Sequence, residues 1–122
     1  QIAGSLHDAE IHLVHTRDDA AVPDSELLVV AILLDANTHG WNVGLEPVFD
    51  VLGSGAERPD GGINPYDFVP SNMAYSHYMG SLTTPPCSEI VRWVVMSAPA
   101  VIGELQLATF RDSVATATYS KV

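Results

Sequence analysis

Eight consecutive apolar residues, Leu27-Leu-Val-Val-Ala-Ile-Leu-Leu34, constrain this chain more than any other feature. A helix needs about 20 apolar residues to cross a bilayer, so this run is not a transmembrane segment. It is short, β-branched in its middle and followed by the turn-like stretch Asp35 to Gly40, which predicts a strand. Apolar side chains pointing both ways need cover on both faces, as in the interior of a sheet.

Two further segments read as strands. Residues 9–15, Ala-Glu-Ile-His-Leu-Val-His, alternate with a period of two, placing Glu10, His12 and Val14 on one face and Ile11, Leu13 and His15 on the other. A short helix is the competing reading, but Ile, Val and the following Thr16 favour a strand. Ile90-Val-Arg-Trp-Val-Val95 predicts a third strand, with Val91, Trp93 and Val95 on one side. The period changes at Leu45, Val48, Phe49 and Leu52, which predict an amphipathic helix with Pro47 in its first turn and Gly53 as its stop. A second helix is predicted over Ala100 to Asp112, with Val101, Leu105 and Ala108 aligned. Asp18 to Asp24 and Gly53 to Pro70 read as loops, and Ser113 to Val122 as a frayed tail. Two adjacent prolines stiffen Ser81-Leu-Thr-Thr-Pro-Pro-Cys87. No internal repeat divides the chain.

The 122 residues have the length of one ordinary domain, and 47% hydrophobic with 16% charged residues is a globular composition. Five Lys+Arg against fifteen Asp+Glu give a formal charge of −10. That balance excludes wrapping a nucleic-acid backbone or lying on an anionic membrane. The start at Gln1, without a basic-then-apolar leader, reads as a processed, excised or partial product. The single cysteine, Cys87, excludes an intrachain disulfide and a Cys-rich zinc knuckle.

Two groups of residues carry candidate chemistry. Imidazole is a common zinc ligand, but on a strand His12 and His15 point to opposite faces and cannot share an ion. Glu10 and His12 do share a face, as a ligand and its orienting carboxylate would. The alternative is a hydrogen-bonded core histidine. Thr83 and Thr84, on a proline-stiffened loop, place two hydroxyls where they can orient a nucleophile or hold an anion. The alternative there is an ordinary connector. Asp8 with His12 and Asp18 with Asp19 read as solvated charge. Phosphate loops, nucleophile elbows and basic–aromatic stripes are absent from the sequence.

Taken in order, these segments resemble the α-class carbonic anhydrases. Ala9 to His15 resembles that family's third-zinc-ligand strand, and Leu27 to Leu34 its following central strand. The most specific match is Tyr78-Met-Gly-Ser-Leu-Thr-Thr-Pro-Pro-Cys-Ser-Glu-Ile-Val-Arg-Trp93, continuing to Pro99, Gln106 and Phe110-Arg111. The resemblance runs from about Ile2 to Arg111. It implies a mainly β fold, a large twisted central sheet with a few peripheral helices, present as a partial domain over residues 1–112. It also implies zinc-dependent, reversible hydration of carbon dioxide to bicarbonate. Residue by residue, it makes His12 a zinc ligand and Glu10 the carboxylate behind it. Thr83 resembles the gatekeeper hydroxyl that aims the nucleophile, and Thr84 its neighbour on the bicarbonate side. Val14, Val29, Leu82, Val91 and Trp93 resemble the apolar wall for carbon dioxide.

The departures from the family are as informative. The His-x-His strand with the first two zinc ligands has no counterpart before His12, where His7 is the sole earlier histidine. The gatekeeper's carboxylate partner, the usual proton-shuttle histidine and the closing C-terminal strand are missing too. The resemblance thus covers the central to C-terminal half of a family domain, with one zinc ligand of three. Extracytoplasmic members bond a cysteine at the position of Cys87 to one near their N-terminus, which implies a partner in a missing segment and a secreted, periplasmic or organelle-lumenal setting. The alternative is a free buried thiol. Three readings follow. The chain is one piece of a split or nicked enzyme completed by a complementary N-terminal segment, a non-catalytic scaffold or binding subunit in a larger assembly, or a portion of an ordinary enzyme.

Overall fold

A computed structural model of the chain describes residues 4–16, 26–54 and 62–116. Residues 17–25, 55–61 and 117–122 lie outside the described set, and with them Asp18, Asp19, much of the predicted 53–70 loop and the end of the predicted tail. The chain divides into two units. One comprises Gln1–Leu34 and Pro70–Ala100, the other Asp35–Val69 and Val101–Val122.

The first unit is built on strands β1 (Ala9–Thr16), β2 (Leu27–Asn37), β3 (Tyr75–Gly80) and β4 (Val91–Met96), in the order β1-β2-β4-β3. The sheet is mixed: β2 runs antiparallel to β1 and parallel to β4, while β3 runs antiparallel to β4. The apolar run takes the interior position that its composition demands. Ala31 and Ile32 are fully buried, and Val29, Leu33 and Leu34 nearly so. The predicted strands at 9–15, 27–34 and 90–95 are all present. β2 continues to Asn37, three residues into the stretch expected to turn.

Strand β3 was not anticipated. Every residue from Tyr75 to Met79 is exposed, so neither face carries an apolar period. Among the described strands it is an edge, where burial leaves no signature in the sequence.

In the second unit, α1 (Glu46–Ser54) matches the predicted amphipathic helix and α2 (Glu104–Thr116) packs against it. Leu45 is buried in a short 3₁₀ turn just before α1, and Gly53 lies within the helix rather than stopping it. The helix predicted from Ala100 begins instead at Glu104. Ala100–Gly103 form strand β5, whose β-branched Val101 and Ile102 suit extended backbone. The buried side chains are Ile102, Gln106 and Leu107, whereas Val101, Leu105 and Ala108 are exposed. Residues 113–116, expected to fray, continue α2.

Gln106 explains why the apolar period misleads here. Its side chain is 2% exposed and fully satisfied: Oε1 accepts from the Asn42 and Gly103 amides, and Nε2 donates to the Asn42 carbonyl. A polar residue thus occupies the core-facing position by serving backbone groups that would otherwise be orphaned. Gly103 is required beside it, since a Cβ there would sit 2.6 Å from the Gly40 carbonyl oxygen.

Candidate active site

Strand register places the predicted site residues of β1, β2 and β4 on one face of the sheet. Val14 pairs with Val29, Val29 with Trp93 and Trp93 with Tyr78, forming one cross-strand row. His12 pairs with Ala31, which pairs with Val95, forming the next. Glu10 lies two residues before His12 on the same face. His15 falls on the opposite face, as the alternation requires.

His12 is held from two sides. Its Nε2–H donates to Glu10 Oε1 at 2.7 Å. Its ring also meets Trp93 edge-on, with centroids 4.8 Å apart and planes at 69°. Ala31, the buried neighbour between them, has only a methyl group, so an indole from β4 reaches an imidazole on β1. With Nε2 engaged by a carboxylate, Nδ1 carries the free lone pair.

Trp93 links this pair to the threonine loop. Its indole N–H donates to the Ser81 carbonyl at 3.2 Å, two residues before Thr83. Tyr78 stacks on the indole at 6.4 Å and 14°. Leu82 packs against the buried cluster of Val29, Ala31, Val91 and Trp93. The loop is pinched at its neck by Leu82 N–H to the Ser88 carbonyl, and closed at its tip by Cys87 N–H to the Thr84 carbonyl. Cys87 takes a left-handed φ of 57° there.

The structure therefore gathers Glu10, His12, Val29, Leu82, Val91 and Trp93 around one sheet face. Val14 shares that face but is 60% exposed. Thr83 and Thr84 stand exposed at the loop tip, and neither hydroxyl bonds to Glu10 or His12. Cys87 is a free, exposed thiol among the described residues, which overturns the buried-thiol alternative. Tyr78 and Gly80 also shape the site. Neither was singled out, because their contacts depend on the register of an edge strand without a hydrophobic pattern.

A zinc centre requires at least three protein ligands. Among the described residues no three His, Cys, Asp or Glu side chains converge. The donor set nonetheless fits one ligand position: an imidazole with a free ring nitrogen, its other nitrogen fixed by a carboxylate. No helix among the described residues is long and apolar enough to cross a membrane.

The sheet with its few helices matches part of the α-carbonic anhydrase from Thermovibrio ammonificans, solved in complex with the inhibitor sulfanilamide. The TM-score is 0.73 at 33% identity, covering 87% of this chain and 45% of that one. The family model for eukaryotic-type carbonic anhydrases matches residues 1–121. Similar proteins include a carbonic anhydrase of Nostoc sp., 35% identical over 90% of this chain and 40% of its own length. Human carbonic anhydrase 7 is 32% identical over 91% of this chain and 46% of its own. The chain belongs to the eukaryotic-type, or alpha, carbonic anhydrase family. It spans less than half the length of these relatives.

Proposed function

We propose that this chain supplies one metal ligand, the threonine loop and the apolar wall of a zinc-dependent site for reversible carbon dioxide hydration, and that a segment outside the chain completes it. The observation that carries the reading is the double hold on His12, by Glu10 and by Trp93, on the face where the apolar cluster lies. When bound, zinc lowers the pKa of a water to about 7 and so supplies a nucleophile at neutral pH.

Each residue has a task in that reaction, in which carbon dioxide and water give bicarbonate and a proton. His12 offers Nδ1 to the metal, while Glu10 fixes the ring tautomer. The wall of Val14, Val29, Leu82, Val91 and Trp93 accommodates an uncharged substrate that needs no polar clamp, and disfavours the charged product. Thr83 orients the nucleophile through its hydroxyl, and Thr84 donates toward bicarbonate. Cys87, exposed beside them, pairs with a cysteine of the completing segment in an oxidising compartment.

The test uses the native protein that contains this chain, assayed for zinc content and carbon dioxide hydration. Zinc is expected, with loss of both metal and activity in His12→Ala. Thr83→Ala is expected to keep the metal and lose activity on the order of 10²-fold, as misoriented groups do. Intact mass without reductant reports any companion on Cys87. Metal-free, inactive native protein would overturn the enzyme reading and leave a binding subunit.

A further inference from the structure

The second unit contains an open cleft of about 580 Å³ lined by Trp41, Asn42, Val43, Gly44, Asp67 and Val101. We propose that this cleft is a binding site for an organic cation with an apolar stem, an alkylammonium or alkylguanidinium group. Its volume lies within the range of small-ligand sites. Trp41, Val43 and Val101 are 53%, 68% and 47% exposed, three large apolar side chains left in water around one concavity. Scattered exposed residues need no explanation, but apolar side chains converging with a carboxylate define a chemistry.

The charges at the cleft select the ligand's sign. Asp67 is exposed where it lines the cleft, and its Oδ1 accepts from Asn64 Nδ2 at 3.0 Å, which steadies the carboxylate there. The Trp41 indole N–H donates to Glu46 Oε1 at 2.7 Å, which fixes the ring and sets a second carboxylate at its edge. Tryptophan is the strongest aromatic partner for a cation. Among the described residues no Lys or Arg lines the cleft, and the chain's net charge of −10 draws cations toward it and repels anions. A neutral apolar ligand would cover Asp67 without compensating its lost hydration.

The walls are held in place before any ligand arrives. The Asn42 backbone is bonded through both N–H and C=O to buried Gln106, and Asn42 Nδ2 donates to the Val101 carbonyl. Gly44 lies so close to Asp67 that a Cβ would sit 2.8 Å from the Asp67 Cβ, so the bare glycine backbone lets Asp67 stand there. Preorganisation of this kind lowers the ordering cost of binding.

The Trp41 indole N–H is one of only two such signals in the chain, which makes ¹⁵N-resolved NMR a direct readout. Titration with n-butylammonium and n-butylguanidinium chlorides is expected to shift the Trp41 signal saturably. 1-Butanol and butyrate, which share the stem, are expected to bind more weakly. Asp67→Asn, nearly isosteric, is expected to weaken the cations about threefold and leave butanol unchanged. A neutral-flanked Gly-Arg-Gly peptide tests whether the group is also accepted as a side chain: affinity matching butylguanidinium assigns the site to a protein partner, and weaker affinity assigns it to free amines. Equal shifts with butanol and butylammonium, an unaltered cation affinity in folded Asp67→Asn, or no saturable shift would each overturn the proposal.

Discussion

Gly80 shows how closely the candidate site is fitted at the level of single atoms. A Cβ at this position would lie 3.0 Å from Trp93 Cδ1 and 3.0 Å from Tyr78 Cε2, between the two stacked rings. Trp93 is 6% exposed and tied to Ser81, so it has little room to move, whereas Tyr78 is 53% exposed and free to swing outward. Gly80→Ala should therefore displace Tyr78 and break the stack. Overpacking costs about 1–3 kcal/mol, and replacing a strand glycine recovers roughly 0.5–1 kcal/mol. A net loss of about 1 kcal/mol is expected in urea unfolding, with a reduced near-ultraviolet aromatic signal. A stabilised variant would show that the rings are not held as described. The Glu10–His12 pair was legible in the sequence because both members lie on one strand, two residues apart. Trp93 was placed in the apolar wall, but its contacts to His12, Tyr78 and Ser81 were not legible, since they join separate segments and exist only once register is set.

Among the elements, β1, β2, β4 and α1 were legible from their hydrophobic pattern, whereas β3, β5 and the start and core face of α2 were not. Strands β1, β2 and β4 announce themselves by alternation or by a continuous apolar run, and α1 by its 3.6-residue period. The exposed β3 has no such pattern, and the core of α2 turns on a glutamine that no hydrophobic period records. The same property that hides β3 from sequence reading makes it a hazard. It contains no Lys, Arg, Asp or Glu from Tyr75 to Gly80, and its outer edge has no partner among the described residues. Unprotected edges template pairing with other chains, and charge is the usual guard. The isolated chain should self-associate with rising concentration, as sedimentation velocity would show. Met79→Lys, at a position 57% exposed, should shift it toward monomer. A wild-type chain that stays monomeric across the accessible concentration range would remove this expectation.

For the whole molecule, the backbone passes between the two units three times, after Leu34, Val69 and Ala100. Two of these passages occur inside regular structure: β2 runs unbroken across Leu34–Asp35, and β5 across Ala100–Val101. Neither unit is a contiguous stretch that a linker could release, so unfolding one pulls apart strands that begin in the other. A chain less than half as long as its relatives, with one candidate metal ligand, would still unfold as one body if this connectivity governs. The layout of probes makes this measurable. Among the described residues both α-helices belong to the second unit, so far-ultraviolet circular dichroism at the helix band reports mainly on it. Trp93 belongs to the first unit, and in a Trp41→Phe, Met79→Lys variant its fluorescence reports on the sheet alone. The two urea transitions should coincide in midpoint, as all-or-none unfolding requires. Midpoints that separate, with the helix signal lost while Trp93 stays native, would mean that the sheet holds together without the second unit.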